Sequence, residues 1–170
     1  AAQRHVVPPA HELVGQHKDL AYAQLMPWIE GVPWFNILTV GVMQNDCFLN
    51  PAHALHLCHR FLSVMVALEQ HGLAHTDIAS GNVLVDPDRL NVELIDLEEM
   101  CGPGFPEPAQ RNVGSMGYTH PSVKAQGVGL WSPDCDRFAG VVLAAEILLL
   151  SCPDLARRAG VTPHDGAVVG

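Results

Sequence analysis

The stretch HTDIASGNVLV, from His75 to Val85, constrains the fold of this 170-residue chain more than any other. It passes from a polar loop into a short apolar run. Asp86-Pro87-Asp88-Arg89 follows, and residues 92–95 form a second apolar run. Asp bonds to nearby backbone N–H groups and Pro presets φ, so the four residues between the runs read as a turn. Two short apolar runs about such a tip predict a β-hairpin.

Helical patterns flank the hairpin. Asn50-Pro51 supplies a capping side chain and a Pro suited to the first turn. Leu55, Leu57, Phe61, Leu62, Met65 and Leu68 then recur at near-helical spacing up to Gly72. Ser132-Pro133-Asp134 opens a second helix, expected over 136–150. Residues 34–42 suit a short helix. Residues 20–29 read as a strand or pair of strands, stopped by Glu30-Gly31-Val32-Pro33, while residues 1–19, rich in His and Pro, suggest no element. Residues 97–120 carry Gly102, Pro103, Gly104, Pro106 and Pro108 and read as one long loop. Loops of that length in compact domains are commonly functional. The order strand, helix, helix, hairpin, loop, helix is an α+β pattern dominated by helix.

With 48% hydrophobic and 16% charged residues, the chain has the material for a core. A net charge of −9 argues against binding nucleic-acid phosphates or anionic lipid. The five cysteines (Cys47, Cys58, Cys101, Cys135, Cys152) form no CxxC pair, which points to free thiols in a reducing compartment. The most apolar stretch, 138–152, contains Glu146 and is shorter than the roughly 20 residues of a membrane-spanning helix. The chain begins at Ala1 and ends in a loose Gly/Val/Pro stretch, and is expected to be a fragment.

Asp77 and Asn82 lie in the loop before the hairpin, and Asp96 lies at its far end. Two carboxylates and a carboxamide thereby meet at one end of a small hairpin. Phosphoryl transfer uses such a set: one carboxylate orients the attacking hydroxyl, and hard oxygen ligands hold magnesium on the nucleotide phosphates.

These residues carry a resemblance to protein kinases. His75, Asp77, Ile78 and Asn82 hold the places of the catalytic loop H-R-D-L-x-x-x-N, and Asp96-Leu97-Glu98 falls where kinases have D-F-G. VGSMGYTHPS, residues 113–122, resembles the end of the activation loop through Gly114, Ser115, Tyr118 and Pro121. DRFAGVVLAAEIL, from Asp136, resembles the buried helix that follows, with Asp136 and Glu146 at its charged positions. LMPWIEG resembles the adenine-binding hinge, with Met26 as gatekeeper and the backbones of Pro27 and Ile29 facing the base. Over residues 20–150 the chain resembles a divergent, bacterial, Ser/Thr-type kinase.

The resemblance implies a partial kinase-like domain over residues 1–170. Residues 20–31 would be the last N-lobe strand and the hinge, 32–150 a mainly helical C-terminal lobe, and 151–170 the start of a truncated C-terminal part. It implies ATP and Mg2+ as cofactors, with Asp77 catalytic. Met26, Pro27, Ile29, Asn82, Leu84 and Asp96 would bind the nucleotide, Asn82 and Asp96 through the metal. The partners it implies are a protein bearing an acceptor hydroxyl and an N-lobe from a missing part of the chain. No nucleic acid and no membrane contact are expected.

The chain departs from the pattern in several places. Thr76 replaces the Arg that reads an activation-loop phosphate, so activity is expected not to depend on that phosphate. Ala79 replaces a Lys common in Ser/Thr kinases, Glu98 the Gly of D-F-G, and Ser122 the Glu of A-P-E. No Gly-rich phosphate loop is found, and neither Lys18 nor Lys124 stands where the N-lobe Lys belongs. Two alternatives follow: a pseudokinase or scaffolding module, and a kinase-like small-molecule phosphotransferase. His75 is expected to brace the loop. His53, His56 and His59 share a helix face, read as solvated in preference to a zinc site.

Overall fold

The computed structural model describes residues 5–25, 27–44 and 49–158. The chain divides into two units, Ala1–Glu30 and Gly31–Gly170.

In the first unit β1 (His5–Val6) pairs antiparallel with β2 (Gln24–Leu25), His5 opposite Leu25. Val7 extends the pairing, donating to Ala23 O at 2.9 Å and accepting from Tyr22 N–H at 2.8 Å. Between the strands lie α1 (Glu12–Gln16), capped by His11 Nδ1 on Leu13 N–H, and a 3-10 turn at Lys18–Leu20. The strand expected over 20–29 is therefore only Gln24–Leu25 long. Leu20 belongs to the 3-10 turn, and Pro27 has no N–H to give a ladder.

The second unit holds a three-stranded antiparallel sheet, β3 (Val32–Pro33), β4 (Val83–Asp86) and β5 (Asn91–Leu94), in that order. The β4–β5 hairpin is the one expected, Val83 facing Leu94 and Asp86 facing Asn91. Asp86 Oδ1 accepts from Asp88 N–H and Arg89 N–H at 3.0 Å each, which shapes the tip. The third strand was not expected: Val32 and Pro33 pair with Val85 and Leu84. Pro33 is tolerated there because β3 is an edge strand.

α2 (Trp34–Gln44) follows β3 directly. α3 (Pro51–Gln70) starts where Asn50 Oδ1 accepts Ala52 N–H at 2.8 Å. Its buried face, Ala54, Leu57, Cys58 and Phe61, has the 3-and-4 spacing of one helix stripe. α5 (Arg137–Leu149) buries Ala139, Gly140, Leu143, Ala144, Glu146 and Ile147, and packs on α3. Trp34, Leu38, Leu57, Phe61, Ile78, Val83, Val85, Leu143 and Ile147 make the center of the core. Three short helices were not foreseen: α1 in the first unit, and in the second α4 (Pro121–Gln126), inside the segment that follows the long loop, and α6 (Pro153–Arg158). His120 Nδ1 caps α4 through Ser122 N–H at 3.2 Å. Among the described residues no helix is long and apolar enough to cross a membrane.

α3 ends in a left-handed cap. Gly72 has φ +70°, Gly72 N–H bonds Glu69 O at 2.9 Å, and Leu73 N–H bonds Leu68 O at 2.9 Å. This 6→1 and 5→2 pair satisfies carbonyls that a helix end leaves open. A Cβ at Gly72 would meet nothing closer than Pro103 at 3.7 Å. The cost of Gly72→Ala is thus conformational. A loss of about 1–2 kcal/mol is expected, read as a lower urea midpoint at unchanged slope.

Candidate active site

The loop that carries Asp77 is anchored from α5. Asp136, at the N-terminal end of that helix and buried, accepts His75 N–H at 2.5 Å and Thr76 N–H at 3.0 Å. Burial pushes its carboxyl above the ordinary range; the two N–H bonds pull it back without cancelling the effect. The His75 ring is fully buried and lies with Nε2 2.7 Å from Ile95 O. A carbonyl only accepts, so the proton is assigned to Nε2. The imidazole braces β5 against the loop.

Asp77, Asn82 and Asp96 line one cavity of about 400 Å3, together with Phe35, Ser115 and Met116. A 3-10 turn at Ser80–Asn82 sets Asn82, and Asn82 O accepts Ile95 N–H at 3.0 Å. Asn82 Nδ2 donates to Asp77 O at 2.9 Å and lies 3.4 Å from Asp77 Oδ2. Ser115 Oγ donates to Asp77 Oδ1 at 3.0 Å. Asp96 is exposed, has φ +62°, and makes no hydrogen bond or ion pair among the described residues.

This donor set fits a hard cation held jointly with phosphate. Bonding at Nδ2 leaves Asn82 Oδ1 for a cation, and among the described residues no group bonds the Asp96 carboxylate. Among the described residues no group of three or more His, Cys, Asp or Glu side chains is placed to hold a metal alone. Magnesium does not require one, since it takes one or two carboxylates with substrate phosphates and water.

The segment bearing Ser115 is pinned from below. Gly114 and Gly117 have φ of +88° and +87°, and the Thr119 hydroxyl lies 3.0 Å from both Val113 O and Ser115 O. A Cβ at Gly114 would sit 3.0 Å from that hydroxyl in a backbone region that disfavours side chains. Tyr118 OH donates to Glu146 Oε2 at 2.8 Å, and Trp34 Nε1 donates to the same oxygen at 3.1 Å. All three side chains are buried. Burial, then the Glu146 charge, pushes the Tyr118 hydroxyl far above its ordinary pKa, so it stays a donor.

Of the residues singled out from sequence, Asp77, Asn82 and Asp96 share this cavity. Leu84 is not in its lining; it lies in β4 with 9% exposure. Pro27 and Ile29 belong to the first unit, and Met26 and Cys47 lie outside the described residues. His53, His56 and His59 are exposed along α3. Sequence reasoning placed Ser115 and Glu146 by resemblance, without their contacts, and gave Trp34 no role.

No protein-family model matches the chain, and no curated protein matches it. A solved structure does: the Cydia pomonella granulovirus kinase PK-1 superposes with a TM-score of 0.52 at 20% identity, over 74% of this chain. The fold is kinase-like. The chain spans 43% of that kinase's length. The mixed architecture of helices with a small three-stranded sheet agrees with it.

Proposed function

We propose that this chain is the acceptor-side, C-terminal-lobe part of an ATP- and magnesium-dependent phosphotransferase that modifies serine or threonine hydroxyls of proteins. The observation that carries the reading is the meeting of Asp77, Asn82 and Asp96 in one cavity of a kinase-like fold. Residues 20–31 would lead to the nucleotide-binding lobe, and Met26, Pro27 and Ile29 would be the residues of that segment that face the base.

Asp77 accepts a hydrogen bond from an incoming hydroxyl and would take its proton as that oxygen bonds the γ-phosphorus of ATP and the bond from that phosphorus to the β–γ bridging oxygen breaks, with ADP as the leaving group. The Ser115 contact shows an Asp77 oxygen accepting from a hydroxyl at 3.0 Å. Asn82 Nδ2 holds the Asp77 loop, leaving its amide oxygen for a cation. Asp96 contributes a carboxylate from the other end of the hairpin. Magnesium bound there with nucleotide would neutralise charge on the phosphates. Positioning and charge stabilisation, with little covalent chemistry by the protein, account for catalysis in such a site. Cys58, Cys101, Cys135 and Cys152 are free thiols, in keeping with a cytoplasmic setting.

A second reading, a binding module without transfer, draws on Ser115: its hydroxyl already occupies Asp77 Oδ1. One experiment separates the two. The protein at its native length is incubated with γ-labelled ATP and mixed protein acceptors, with magnesium or with EDTA. Magnesium-dependent label on serine or threonine is expected. ATP binding with no label on any acceptor would leave the binding module as the function.

A further inference from the structure

We propose that Thr76 is a positioning residue for Asp96: its hydroxyl straps the segment after β5 to the loop that carries Asp77. The inference rests on the phosphotransferase reading above and names a residue which that reading does not use.

Thr76 has φ +70°. A β-branched residue in the left-handed region is an outlier, and such a conformation persists only where the surroundings over-determine it. Here two bonds do so. Thr76 N–H reaches Asp136 Oδ1 at 3.0 Å, and Thr76 Oγ1 donates to Glu99 O at 2.8 Å. The neighbouring residues tie the same segment. His75 Nε2 holds Ile95 O at 2.7 Å, and Ala74 and Cys101 exchange two backbone bonds of 2.9 Å. Residues 74, 75 and 76 thus fasten residues 101, 95 and 99.

Asp96 lies inside the fastened stretch, itself at φ +62°. With no side-chain bond of its own among the described residues, its carboxylate is aimed by the backbone of 95–101. Of the three fastenings, the Thr76 hydroxyl is the one nearest the middle of 96–101, and it lies at the surface rather than in the core. Its loss therefore loosens the aim of Asp96 without emptying any packed volume.

The test compares Thr76→Val, which keeps the shape and removes the hydroxyl, with Thr76→Ser, which keeps the hydroxyl. Two readouts are taken on the native-length protein. The first is amide hydrogen exchange without nucleotide or metal, at Ile95 and Cys101, which are bonded to Asn82 O and Ala74 O, and across α3 and α5. The second is the magnesium concentration at half-maximal phosphate transfer. Thr76→Val is expected to speed exchange at residues 95–101 and leave α3 and α5 unchanged. It should also raise the magnesium requirement roughly two- to tenfold, the range of one net hydrogen bond. Thr76→Ser should match the wild type in both. Unchanged exchange at 95–101 in Thr76→Val would overturn the strap alone. Equal acceleration across α3 and α5 would reduce Thr76 to a general stability role and overturn the proposal. Absence of transfer by the wild type would instead sink the phosphotransferase reading, and the positioning role with it.

Discussion

Asp77→Ala is expected to lower phosphate transfer about a hundred- to ten-thousand-fold, the range for removing a positioned general base. The structure says why binding should survive. Asn82 holds the loop through Asp77 O at 2.9 Å, a backbone bond that the substitution leaves in place. Its contact with the carboxylate is the longer one, at 3.4 Å. Asp96 does not bond Asp77 at all. Asn82 and Asp96, proposed to hold the metal, therefore keep their supports while the incoming hydroxyl loses its proposed acceptor. Transfer rate and nucleotide affinity, measured with magnesium on the same preparation, should separate: the first falls and the second holds. Transfer at the wild-type rate would exclude Asp77 as the base. An equal loss of nucleotide binding would mean that the loop had collapsed.

Glu146→Ala should cost about 3–5 kcal/mol of stability. The carboxylate accepts from Trp34 Nε1 and Tyr118 OH, and all three groups are buried. Removing it strands two donors, at about 1–3 kcal/mol each, and adds the cavity of a truncated long side chain. Glu146→Gln should lose much less, because one amide oxygen can still accept both bonds. Chemical denaturation reads the difference. A loss for alanine no larger than that for glutamine would show that the buried donors find other partners. Tyr118 adds a pH sign. Its folded-state pKa is raised, so the stability it contributes is full below the ordinary tyrosine value near 10 and is lost only as pH climbs through the higher folded value.

The hairpin and the two long helices were legible because each is longer than its own period. Residues 83–86 and 91–94 flank turn chemistry at Asp86-Pro87, and α3 shows a full stripe with Asn50-Pro51 at its start. β1, β2 and β3 are two residues each, too short to show alternation. They exist only because a partner lies alongside, so residues 20–29 read as more strand than they hold. α4 escaped notice because His120 does the capping that Ser, Thr, Asp or Asn would signal. At the site, Asp77 and Asn82 were legible from local spacing, and Asp96 from the hairpin that brings it back. The contacts of Ser115 with Asp77, 38 residues apart, and of Trp34 with Glu146, 112 apart, leave no local trace.

The anchoring of the loop by Asp136 has a consequence for how the chain is made. Synthesis proceeds from the N-terminus, and all three candidate residues have been added by position 96. Their loop takes its backbone bonds from a residue 61 and 60 positions beyond His75 and Thr76. Closing a loop of that span is an entropic cost met late. A nascent chain stalled before Asp136 would thus hold the whole set of candidate chemical groups without the anchor that arranges them, so the site matures only after α5 has left the ribosome.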